Sequence, residues 1–125
     1  VRRQLKERAG LFDAIRAGWA RDTSHDPARW TEANPAWGQC LVTALAVQDA
    51  LGGDIVVGSV GRRSHYWNRL PDGKRVDLTR VQFDGRGVLW ERGTADRARL
   101  LRVRGTATRY ERLAGRLQAA TDVVR

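Results

Sequence analysis

A single cysteine, Cys40, serves the whole chain of 125 residues. An internal disulfide is thereby excluded, and a lone thiol fits a reducing compartment. No apolar run approaches the roughly 20 residues of a membrane-spanning helix, so no membrane partner is expected. The opening Val1-Arg2-Arg3-Gln4-Leu5 is charged and leads into no signal-like apolar stretch, which makes the expected location cytoplasmic. Close ligand pairs of the C-x-x-C or H-x-x-x-H kind are missing. Cys40, His25, His65 and Asp77 would form an unusual zinc set, so no metal is expected. Neither a Walker-type nor a dinucleotide glycine fingerprint occurs, and no cofactor is expected. Internal repeats and low-complexity segments are also lacking.

What is present suffices for one domain spanning 1–125. Hydrophobic residues make up 42% and there are five Trp, enough for a core. The net charge is +9, and 21 of the 23 basic residues are Arg. Residues 1–60 hold 7 basic and 7 acidic side chains, whereas residues 61–125 hold 16 and 7. Arginine clamps phosphates and carboxylates, which keeps an acidic partner or nucleic acid in view. The arginines are nevertheless scattered. Arg62, Arg69, Arg80, Arg86, Arg92, Arg99, Arg104 and Arg112 fall in strands, loops and helices alike. A dedicated nucleic-acid reader concentrates its charge on one face, so only weak, sequence-independent binding is expected.

Periodicity gives the outline. Leu5, Phe12, Ile15 and Trp19 predict an amphipathic helix over 3–20. Residues 21–39 are rich in turn formers, with Trp30 and Trp37 expected to pack that loop on the domain. Cys40–Leu51 is apolar nearly all round, as in a buried helix, and Gly52-Gly53 stops it. Strands are expected over 54–60, 64–70 and 74–78, the last two joined through Pro71-Asp72-Gly73. Residues 82–93 read as loop, 94–102 as a short helix capped by Thr94, and Thr108 as the opening of a last helix. Helices followed by antiparallel strands predict the α+β class.

Cys40 stands where the loop ends and the buried helix begins. Free backbone N–H groups and the helix dipole stabilise a thiolate there, so a lowered thiol pKa is expected. The same N–H groups suit an oxyanion, with Gln39 as an added amide donor and Gly38 allowing close approach. A thiol nucleophile needs a base. His65, on a strand, is held more rigidly than His25, which lies in a loop beside Asp26. The imidazole in turn needs an orienting acceptor. Asp77 can meet His65 across the hairpin, while Asn68, three residues along, belongs to the opposite face. Trp67 shares the face of His65, and that face is expected to look at the buried helix. A Cys40–His65–Asp77 site predicts attack on an amide or acyl bond, as in a hydrolase, deamidase or acyl transferase. The bland readings are a small buried cysteine and a packed core histidine. The alternative function is an inactive binding module whose Arg-rich half, with Trp90 and Tyr110, meets an acidic partner or nucleic acid.

The motifs Asn34-Pro35-Ala36-Trp37-Gly38-Gln39-Cys40, Thr43-Ala44-Leu45, Gln48-Asp49, Leu51-Gly52-Gly53, His65-Tyr66-Trp67-Asn68, Asp77-Leu78-Thr79 and Gln82-Phe83 together resemble the YunG-like family of small bacterial proteins of uncharacterised function. The resemblance runs from about Trp19 to Phe83. More distantly, His65-x-Trp67 and Asp77-x-Thr79 are similar to the His-x-Trp and Asp-x-Thr pieces of transglutaminase-like domains. That second resemblance implies a papain/transglutaminase-like core with Cys40, His65 and Asp77 as its triad.

Overall fold

The computed structural model describes residues 2–124. Helix α1 covers Arg2–Gly18 and helix α2 Cys40–Leu51, followed by strands β1 Asp54–Val60, β2 Arg63–Arg69 and β3 Arg75–Val76. Strand β4 covers Leu89–Ala95, and helices α3 Arg97–Leu101 and α4 Thr106–Val124 close the chain. The strands form one antiparallel sheet in the order β3-β2-β1-β4. The class is α+β, with helices packed on a small antiparallel sheet.

Two apolar clusters hold α2 in place. Val42, Ala46 and Val47 pack with Ile15 and Trp19 at the end of α1 and with Leu113 of α4. Leu41, Ala44 and Leu45 pack with Ile55 of β1 and Leu100 of α3. Because both sides of α2 meet apolar partners, its sequence shows no polar stripe. The indole N–H of Trp19 donates to Thr43 Oγ1 at 2.9 Å, which satisfies two buried polar groups at once. Leu5 is 54% exposed, so the buried stripe of α1 starts later than its periodicity predicts.

The sheet departs from expectation at β4. Residues 89–95, read as loop and helix start, pair with β1 from Ile55↔Ala95 to Val60↔Leu89, with an irregularity between Val57 and Gly58. Asp96, not Thr94, caps α3 by accepting from the N–H of Ala98. The last helix likewise begins at Thr106 rather than Thr108. An edge strand such as β4 is half-exposed and carries Glu91, Arg92 and Gly93, so no apolar alternation marks it. Its partner lies 29–40 positions earlier in the chain.

The facing of β2 also differs. Asn68 donates from Nδ2 to the Ala44 carbonyl of α2 at 2.9 Å, and Tyr66 packs with the Leu41–Leu45 cluster. The face carrying Tyr66 and Asn68 is therefore the one that meets α2. His65 and Trp67 project to the other face, where Val56 and Gly58 of β1 are their cross-strand partners. Sequence periodicity assigns the two residues to one face correctly but does not say which layer covers it.

Candidate active site

Strand β3 is only two residues long and pairs with β2 at Asn68 and Arg69 alone. The edge of β2 before Asn68 is thus left for other partners. Cys40, the first residue of α2, takes that place: the backbone N–H of Tyr66 points at its sulfur, as do those of Cys40 and Leu41 at the helix start. The residue after His65 in the chain thus faces the thiol, while His65 itself makes no hydrogen bond to the sulfur.

His65 is fully buried. Its Nε2 lies 2.9 Å and 2.8 Å from the two carboxylate oxygens of Asp77. The expected pairing of these residues across the hairpin is present, and Asn68 has no part in it. A carboxylate facing Nε2 favours the tautomer with the proton there. Nδ1 is then the lone-pair nitrogen, and it is buried with no hydrogen-bond partner. Trp67 stacks on the imidazole, with ring centroids 5.7 Å apart, and Phe83 meets it edge-on at 5.2 Å. The Arg75 guanidinium covers Trp67 at 4.9 Å and reaches Asp77 Oδ2 at 3.3 Å. The ring and its carboxylate are thus fixed from three sides.

Cys40 is partly exposed and opens into a cavity of about 410 Å³. Its wall includes Trp37, Gly38, Tyr66, Gln82 and Phe83, so Phe83 links the cavity to the buried imidazole. His25 is exposed on the same wall, and among the described residues no carboxylate bonds its ring. A group of three or more His, Cys, Asp or Glu gathered as metal ligands does not occur among the described residues.

The thiol departs from expectation. Burial pushes Cys40 up, against the pull of the Tyr66 N–H, and the Asp77 carboxylate adds to the rise; the pKa goes from 9.0 to about 11. Loss of solvent outweighs the helix start. The resting group is a neutral thiol at physiological pH. A proton held by the folded protein up to about pH 11, but by the unfolded chain only to 9.0, stabilises the fold fully below 9.0 and is lost as pH climbs through 11. Replacing Cys40 by Ala is expected to flatten the alkaline fall in stability over that window by up to roughly 2 kcal/mol. Urea titrations of both proteins at pH 8 and pH 10.5 check this; identical losses would show the thiol is not buried in this way.

Gln39 and Gln82 exchange the roles that their positions suggest. Gln39 is fully buried, and its amide donates to the Ala20 carbonyl at 2.9 Å, tying the loop to α2 rather than facing the cavity. Gln82, which sequence reasoning gave no role, accepts from the Gly38 backbone N–H through Oε1 at 3.1 Å. That donor fixes the amide orientation, since only the oxygen can face an N–H. Nε2 is left buried without a partner on a residue that lines the Cys40 cavity. Gly38 itself sits at φ +74°, and a Cβ there would come within 2.2 Å of Ser24 Oγ, so the loop before Cys40 tolerates only glycine. The Gln82-Phe83 pair is a visible signal in the sequence, but its chemistry depends on a turn 44 positions from Gly38.

The family model for the YunG protein matches residues 7–122. The chain belongs to the YunG family. The match extends well past Phe83, where sequence reading found nothing firm, and so takes in β4, α3 and most of α4. A curated relative, "Uncharacterized protein YunG" of Bacillus subtilis (strain 168), is 39% identical over 69 residues, which is 55% of this chain and 56% of that protein. The chain thus matches only about half the length of this relative. No solved structure matches the chain.

Proposed function

We propose that this member of the YunG family is a cysteine-nucleophile enzyme acting on an amide or acyl bond, built on a papain/transglutaminase-like core. One observation carries the reading: a buried imidazole holds a carboxylate at Nε2 and keeps Nδ1 unpartnered, while the next residue's N–H faces the only thiol. A histidine kept merely for packing would have its second nitrogen satisfied.

In this reading the Cys40 proton passes to His65 Nδ1 as the sulfur attacks the carbonyl carbon. Asp77 steadies the imidazolium so formed. The raised thiol pKa means that the nucleophile is generated during attack rather than stored as a thiolate. The tetrahedral oxyanion lies against the N–H groups at the start of α2 and Gln82 Nε2. Collapse breaks the C–N bond, His65 returns its proton to the leaving amine, and a thioester remains on Cys40. Water, with His65 as base, then releases the acid; an amine acceptor would make the reaction a transfer. The lone thiol suits a cytoplasmic setting.

The test is acylation by p-nitrophenyl acetate at neutral pH, followed by intact-protein mass. One acetyl group on Cys40 and a burst of p-nitrophenol are expected, both lost in Cys40→Ala. A wild type that gives no more p-nitrophenol than Cys40→Ala would sink the proposal.

A further inference from the structure

We infer that the Cys40 cavity takes a substrate carrying a carboxylate beside its scissile acyl group. The inference rests on the cysteine-enzyme reading above and names its substrate class. Arg62, Arg63 and Arg109 all line the cavity, and no Asp or Glu does. None of the three forms an ion pair among the described residues, although eight other arginines of the chain are paired with carboxylates. Other arginines are also without an ion pair, but these three meet, with no acidic side chain among them, at the cavity that holds the thiol.

Two of them are positioned rather than loosely solvated. The Arg63 guanidinium lies over the Trp37 ring at 4.5 Å, and Trp37 is another wall residue. Arg109 is half-buried, its Nη2 donates to Thr106 Oγ1 at 3.3 Å, and its Nε is enclosed with no acceptor. Burial and the neighbouring Arg112 push the Arg109 pKa down, the mark of a cation lacking its counter-charge. A planar guanidinium with free donors recognises a carboxylate through paired hydrogen bonds. A space of about 410 Å³ suits one or two residues' worth of substrate.

The experiment compares alkylation of native Cys40 by iodoacetate and by iodoacetamide, near-isosteres that differ in charge. Rates are expressed relative to those of a neutral model thiol, N-acetylcysteinamide. Iodoacetate is expected to be favoured about tenfold, as fixed cations a few ångströms from the reacting carbon would give. Arg63→Gln/Arg109→Gln should bring the ratio close to that of the model thiol, and the distant Arg3→Gln should keep the wild-type ratio. Should the double variant fail to unfold cooperatively, the exposed Arg63→Gln alone gives the reading, with a smaller fall in the ratio. Prompt labelling by both reagents with no preference for the anion would overturn the inference and leave the nucleophile standing. A thiol that reacts with neither reagent until the protein unfolds would remove the cysteine-enzyme reading, and this inference with it.

Discussion

Replacement of His65 by Ala is expected to slow acylation of Cys40 by p-nitrophenyl acetate by about 10²–10⁴-fold at neutral pH, the usual worth of a positioned general base. The size follows from the thiol's own pKa of about 11. With the imidazole gone, the N–H groups at the helix start still offset burial only in part, and the proton has no nearby acceptor. Asp77→Asn should act in the same direction, because an amide facing Nε2 allows the tautomer that puts the proton on Nδ1. Asp77 also receives Arg75, so the Asn variant keeps the shape of the cluster better than Ala does. Stopped-flow p-nitrophenol release, with circular dichroism to establish folding, measures both. Folded variants that acylate at the wild-type rate would confine the His65–Asp77 pair to a structural role.

Trp67→Ala is expected to cost about 3–5 kcal/mol of stability. Trp67 is 3% exposed, although it lies on the face away from α2. Its burial comes from β1 beneath it and Arg75 above. At Gly58 a Cβ would meet the indole at 2.6 Å, so the ring rests directly on that backbone and glycine is required there. Removing the indole also frees one face of His65, so acylation should fall along with stability. Equilibrium urea unfolding gives the first effect. A loss under 1 kcal/mol would mean that the Trp67 side chain is not packed as described.

Much of the site was legible because its residues obey local rules. Cys40 after Gly38-Gln39 marks a helix start, and the even separation of His65 from Trp67 places them on one face. The spacing of His65 and Asp77 about Pro71–Gly73 brings them across the hairpin to 2.8 Å. Illegible features depend on distant partners or on burial. β4 is recognised only by what it pairs with, and the covered face of β2 only by the Asn68–Ala44 bond. Gln39 and Gln82 are the same residue type near the same loop, and which of them keeps a free amide N–H beside the cavity is decided in three dimensions. The thiol pKa fails for the same reason: helix position is written in the sequence, whereas loss of solvent is not.

The pH dependence of iodoacetamide alkylation at Cys40, wild type against His65→Ala, is the decisive test of His65 as the base for this thiol. Ready labelling of the native wild type is expected at neutral pH, far below the thiol's own pKa of about 11. In the folded His65→Ala protein that neutral-pH reaction should vanish, leaving a rate that climbs only as pH nears 11. Superimposable profiles for the two proteins, both rising only in the alkaline range, would contradict that role.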